Sequence, residues 1–169
     1  QDHSLPVKWA RQVLKSYLLT GKIPPLPEEF AELKRQRAGA FVSLKKQGNL
    51  RGCIGTISPY REDLAAEIAY NAISAGIKDP RFQPVTMKEY DDLDFSVDIL
   101  GEAEPCSQED LDPLNYGVIV SRGSRRGLLL PDLEGVDTVE EQLSIALQKA
   151  GIDPGDNYEI ERFKVIRYK

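Results

Sequence analysis

Apolar and polar positions along the chain switch repeatedly between a helical and a strand period. Ala10, Val13, Leu14, Tyr17 and Leu18 recur at i, i+3, i+4, i+7 and i+8, which predicts a helix stopped by Gly21 and Pro24. Pro24-Pro25-Leu26-Pro27 reads as a stiff extended connector leading into a short helix near Glu28–Lys34. Ala40–Gln47 and Leu50–Ile57 read as two strands of a hairpin turning at Gly48-Asn49. Ser58 then caps a helix with Pro59 in its first turn and Glu62 and Asp63 at its positive end. This helix is expected near 61–75. Leu64, Ala65, Ile68, Ala69, Ala72 and Ile73 form its buried face, and its alanines allow close packing on a sheet.

Asp79-Pro80-Arg81-Phe82 is a rigid connector, and Thr86–Asp91 holds one or two helical turns. Leu93, Phe95, Val97 and Ile99 alternate with Asp94, Ser96 and Asp98, the pattern of a half-buried strand. A loop rich in acid and proline runs from Glu102 to Pro113. Tyr116–Ser121 and Gly127–Leu130 form a second hairpin across the Arg122–Arg126 tip. Thr138 and Glu141 form a capping box for a helix over 138–150 that ends at Gly151. Tyr158–Tyr168 reads as one closing strand. Hairpins mixed with helices, in place of repeated β-α-β units, predict an α+β fold: one mainly antiparallel sheet holding both hairpins, with packed helices.

At 169 residues a single domain is expected. The net charge of −5 opposes an extended nucleic-acid surface, so any such affinity is expected to be weak and salt-dependent. No apolar run approaches the roughly 20 residues of a membrane span. Gln1-Asp2-His3 carries no signal-peptide pattern, and the missing initial Met suggests a piece excised from a longer chain. Cys53 and Cys106 form neither a C-x-x-C pair nor a disulfide framework, which suits a reducing cytoplasm. His3 is the only histidine, so neither a multi-histidine metal site nor a self-contained Cys-His or Ser-His centre is expected, and no cofactor is implied.

The most unusual segment is Leu50-Arg51-Gly52-Cys53-Ile54-Gly55-Thr56. Regular alternation puts Arg51, Cys53 and Gly55 on one strand face, where Arg51 would favour a Cys53 thiolate. Two glycines in one strand signal a bulge or the close approach of a ligand or another backbone. Packing alone also accounts for them, with Cys53 as a small core residue and the glycines beneath the next helix. Gly55 and the Thr56 hydroxyl, near a helix start, offer donors to an anion. Asp79 and Arg81 either pair to fix their turn or reach towards Cys53. Asp94 and Asp98 lie too far apart for a carboxylate pair, and Arg122, Arg125 and Arg126 read as a solvated tip.

Arg51-Gly-Cys-Ile-Gly-Thr56, Asp79-Pro-Arg-Phe82, Phe95-Ser-Val97, Gly127-Leu-Leu-Leu-Pro131 and Lys149-Ala-Gly151, in that order, resemble the AMMECR domain family. Its bacterial and archaeal members are called AmmeMemoRadiSam system protein A. The resemblance runs from about Ala40 to the C-terminal strand. It implies one AMMECR-type domain over 1–169, with a larger and a smaller subdomain and the Arg-Gly-Cys segment beside a cleft. It also implies association with a Memo-like protein of the extradiol-dioxygenase fold, to which such domains look fused in some bacteria, and with a radical SAM protein. Two departures stand out: Asp98 where Val or a similar residue is expected, and Asp132-Leu133 where Gln-Val is common.

Two functions follow as expectations. One is an enzyme or enzyme subunit that binds a small anionic or electrophilic substrate. In it Cys53 is the candidate nucleophile with Arg51, and Gly52, Gly55, Thr56, Asp79 and Arg81 are substrate-binding. The other is a non-catalytic adaptor or protein-interaction module for the Memo-like or radical SAM partner, with a nucleic-acid-associated role ranked below both.

Overall fold

Val7, Trp9, Ala10, Val13 and Leu14 turn one side of helix α1 (Leu5–Thr20) inward. The helix ends where Gly21 enters the left-handed region at φ 73° and donates its N–H to the Tyr17 carbonyl. These coordinates come from a computed structural model, which describes residues 2–169; Gln1, read above with the N-terminal segment, lies outside them. The chain forms two compact units, one running to Leu100 and taking back Ile166–Lys169, the other comprising Gly101–Val165. No helix among the described residues is long and apolar enough to cross a membrane.

In the first unit, β1 (Ala40–Lys46) pairs antiparallel with β2 (Asn49–Gly55) and with β3 (Leu93–Leu100). With β8 (Val165–Tyr168) the strand order is β2-β1-β3-β8. Ala40, Val42 and Leu44 alternate with Phe41, Ser43 and Lys45, so one face joins the core with Phe95 and Val97. Helix α2 (Leu64–Ile77) packs on β1 and β2, and α1 packs on α2 and β3. The buried Trp9 indole N–H donates to the Ala65 carbonyl at 2.8 Å and locks the two helices together.

Gly52 lies where α2 meets the sheet, and a Cβ there would collide with the Ala75 carbonyl oxygen. Gly55 faces its register partner Phe41, whose ring occupies the space of the missing side chain. The second unit uses the same devices. Its sheet has the order β4-β7-β5-β6, from β4 (Glu104–Pro105), β5 (Gly117–Arg122), β6 (Arg125–Leu129) and β7 (Glu159–Phe163). Helix α4 (Val139–Ala150) rests on β5 and β6, with Gly127 beneath the Ala146 carbonyl and Gly117 beneath the ring of Phe163.

The α+β class and the antiparallel hairpins match the sequence reading, and five details refine or correct it. The hairpins belong to two sheets, not one, because the expected strand Tyr158–Tyr168 divides at Lys164 into β7 of the second sheet and β8 of the first. Helix α2 begins at Leu64: Asp63, not Ser58, is the cap, and its Oδ1 accepts the Ala66 N–H at 2.8 Å. The first hairpin turns at Gln47-Gly48, both with positive φ (52° and 80°), one residue earlier than expected. Residues Glu28–Lys34 form a 3-10 helix, and Asp98 is buried against Arg167 despite the alternating pattern around it.

Gly52→Ala and Gly127→Ala should each destabilise the protein by about 1–3 kcal/mol, since the added methyl meets helix backbone that cannot swing aside. Gly155→Ala, at an exposed turn, is the neutral control. Urea unfolding measures all three; an unchanged midpoint for Gly52→Ala would mean that α2 rides at a looser distance from β2.

Candidate functional site

Strand β2 is the edge of the first sheet, so backbone groups that point away from β1 need partners other than a neighbouring strand. At Cys53 an ion pair supplies them. The Cys53 amide donates to Asp79 Oδ2 at 3.0 Å, and the Cys53 carbonyl accepts from Arg81 Nη2 at 3.2 Å. Both groups thus face outwards, which makes Ser43 and Cys53, register partners across β1 and β2, a non-hydrogen-bonded pair. In such a pair the side chains come closest, and the Ser43 Oγ and Cys53 Sγ atoms are 3.2 Å apart. They lie on the sheet face opposite α1 and α2, and Ser96 of β3 is the next register partner in the row.

The clamp on β2 comes from the Asp79-Pro80-Arg81-Phe82 connector after α2. Asp79 is buried, 4% exposed, and binds Arg81 through Nε (3.0 Å) and Nη2 (2.8 Å), with the Arg81 amide at 3.1 Å. The Arg81 side chain, with help from the Cys53 and Arg81 amides, outweighs burial and lowers the Asp79 carboxyl to about 2. In return Asp79 raises the pKa of Arg81, and the nearby Cys53 sulfur adds to that shift. The Arg81 side chain is 56% exposed and rests over the Phe82 ring at 5.4 Å. Its Nη1 has no hydrogen-bond partner among the described residues.

Arg51 has another task. The β1–β2 register runs from Leu44↔Gly52 to Lys45↔Leu50, leaving Arg51 as the extra residue of a bulge. Its guanidinium binds Glu89 of the one-turn helix α3 (Met87–Tyr90) through Nε (2.9 Å) and Nη2 (3.1 Å), and Nη1 donates to the Gln83 carbonyl (2.8 Å). Burial acts against the charge of Glu89, but donors from Arg51, the Thr86 amide and Lys46 overcome it and lower its pKa. Regular alternation led to a direct Arg51–Cys53 partnership; the bulge breaks that alternation, and Arg51 instead fastens β2 to α3. Arg81 binds the Cys53 carbonyl and interacts electrostatically with Cys53.

The remaining candidates divide clearly. Gly52 and Gly55 accommodate the Ala75 carbonyl and the Phe41 ring. The Thr56 hydroxyl donates to Glu67 Oε2 at 2.6 Å, and the Tyr60 and Arg61 amides donate to Oε1 at 2.8 and 2.9 Å. The place read as open to an external anion thus holds the chain's own buried carboxylate. Ser43, Glu67 and Glu89 were missed by sequence reasoning; for Glu89 the capping-box spacing from Thr86 was the available signal. Cys106 lies in the second unit, where burial raises its pKa. Arg122, Arg125 and Arg126 stay at their hairpin tip, held by the Asn157 carbonyl, the Gly151 carbonyl and Glu161. Among the described residues no group of three or more His, Cys, Asp or Glu side chains is placed to hold a metal.

The depressed carboxyl of Asp79 makes stability depend on pH in a defined window. Its contribution is complete above the unfolded value near 4 and disappears as pH falls through about 2. Asp79→Asn should therefore cost about 1–2 kcal/mol at pH 6, allowing for solvent screening of the half-exposed Arg81, with the difference from wild type closing between those two pH values. Urea unfolding at several pH values tests this; a constant difference down to pH 2 would deny Asp79 its charge-dependent role.

Comparison with known proteins shows the family and the fold. The AMMECR1 family model matches residues 7–169. A protein of Clostridium acetobutylicum is 56% identical over 174 residues, covering 100% of this chain but 36% of that protein, so the chain spans about a third of that relative. A protein of Thermotoga maritima is 56% identical over 167 residues, covering 96% of each chain. The crystal structure of an uncharacterized protein from Pyrococcus horikoshii superimposes with a TM-score of 0.88 at 30% identity, over 96% of this chain and 88% of that one. The chain belongs to the AMMECR1 family.

Proposed function

We propose that the protein is an enzyme or enzyme subunit that binds a small anionic or electrophilic substrate at the Cys53 face of the first sheet. What carries this reading is the double clamp of Asp79 and Arg81 on the Cys53 backbone, which holds the residue next to a half-exposed guanidinium that also interacts electrostatically with its sulfur. The Nε and Nη2 edge of Arg81 is committed to Asp79, so a ligand oxygen meets the Nη1 end. Cys53 then faces the electrophilic atom, with Ser43 Oγ as a neighbouring donor or acceptor.

In a covalent version, sulfur forms a bond to that atom while an electron pair shifts onto an oxygen met by Arg81. The thiol proton passes to a basic group brought by the substrate or by a partner protein, since the only histidine is His3 near the chain start. The proposal includes a cytoplasmic location and action alongside a Memo-like and a radical SAM protein. The two widely spaced cysteines motivate the location, and the resemblance of the sequence motifs motivates the partners.

Iodoacetamide should modify Cys53 faster than Cys106, whose thiol is held protonated by burial. Arg81→Lys should slow Cys53 alkylation by roughly threefold or more, whereas Arg51→Lys should affect stability and leave the rate nearly unchanged. In cells lacking the protein, metabolite profiling should reveal an accumulated acid or electrophile that wild type clears and Cys53→Ser does not. Full rescue by Cys53→Ser, together with a Cys53 as slow to alkylate as Cys106, rejects the nucleophile role.

A further inference from the structure

The loop between β2 and α2 contains an arrangement that the Cys53 site does not use. Glu67 is 1% exposed and has no cation within ion-pair distance among the described residues. Its oxygens are spent on the Thr56 hydroxyl and on the amides of Tyr60 and Arg61. Burying a carboxylate this way is costly, and its effect is to fix the backbone of two surface residues.

The side chains so fixed face outwards. Tyr60 is 79% exposed, more than any other large hydrophobic side chain among the described residues of the first unit. The Arg61 guanidinium lies 3.7 Å over the ring of Tyr70, itself 43% exposed on α2, and 5.7 Å from the ring of Tyr60. Stacking holds its plane, while its side-chain nitrogens have no hydrogen-bond partner among the described residues. Arg37 approaches the same loop and donates through Nε to the Arg61 carbonyl at 3.1 Å.

We infer that Tyr60, Arg61 and Tyr70 form a docking surface for an acidic segment of a partner protein. A carboxylate of that segment takes the open fork of Arg61, and an apolar or aromatic side chain lies on Tyr60. Three features support this occupant. Tyrosine and arginine are the residues on which interface energy concentrates. Stacking and the Glu67 clamp remove the ordering cost before binding. The charge pattern is local and mixed: Arg37 and Arg61 stand beside exposed Glu62, on a chain with net charge −5. This suits one or two carboxylates of a peptide and disfavours a nucleic-acid backbone. The surface is independent of the thiol, so this inference stands whether or not Cys53 performs chemistry.

The test is a synthetic array of dodecapeptides, each with zero to six Asp or Glu and with or without one Phe or Leu, probed with the folded protein. Fluorescence anisotropy then follows the strongest peptides and a single-stranded oligothymidine. Retained peptides should be enriched in acidic residues flanking an apolar one, and Arg61→Ala or Tyr60→Ala should weaken them about tenfold or more while Cys53→Ser leaves them unchanged. Tyr60 is exposed and Arg61 half-buried, with no side-chain hydrogen bond among the described residues, so both variants should unfold within a few degrees of the wild-type midpoint. No acidic enrichment, equal binding by Arg61→Ala, or tighter binding of oligothymidine than of any peptide overturns the inference.

Discussion

The open edge of β2 is the constraint around which the first unit is organised. A strand at a sheet edge carries unpaired donors and acceptors that invite another chain to add to it. Here the connector after α2 returns to that edge and offers a carboxylate to the Cys53 amide and a guanidinium to its carbonyl. The pair therefore imitates a neighbouring strand for one residue. It must be an ion pair to do so well, because a carboxylate is the better acceptor and a guanidinium the better donor at these two positions. One contact thus satisfies the edge, anchors the connector, and leaves a cation within electrostatic reach of the sulfur.

Close helix packing makes that contact possible. The connector leaves from the end of α2, so the height of α2 above β2 decides where Asp79 arrives. Gly52 beneath the Ala75 carbonyl sets that height. At the other end of α2, Glu67 ties the incoming loop through Thr56, the residue after β2. The strand bearing Cys53 is therefore fastened at its start by Arg51 and Glu89, at its middle by Asp79 and Arg81, and just past its end by Glu67. A thiol held this way is positioned by its backbone, without relying on the flexibility of its own side chain.

Much of this was legible in the sequence wherever the signal was local. Alternation marked β1 and β3, the capping box marked α4, and two glycines in one short strand marked a close approach, which proved to be a helix carbonyl and a phenylalanine ring. What failed was non-local or depended on a single-residue irregularity. The bulge at Arg51 leaves no trace in periodicity, yet it moves the guanidinium from the thiol to Glu89. Ser58-Pro59 is a good helix start by local rules, but the buried Glu67 binds the flanking Thr56, Tyr60 and Arg61, the segment between them stays a loop, and Asp63 takes the cap. The break at Lys164 occurs within a uniformly β-prone run, so only the pairing of β7 and β8 with different sheets reveals it.

The electrostatics limit the chemistry open to such a site. The ion pairs that clamp β2 titrate far from neutrality: Asp79 falls to about 2, Glu89 is lowered, and Arg81 is raised. None of them can give or take a proton in the neutral range. Of the three groups joined at Cys53 itself, Asp79, Arg81 and the thiol, only the thiol belongs to a class that titrates between the carboxylates and the guanidiniums. The site can thus present a constant cation to a ligand over a wide pH range, but it cannot relay a proton by itself. Any reaction there must draw its acid or base from the ligand or from a second protein, so binding at this face and proton transfer become one event only when the missing group arrives.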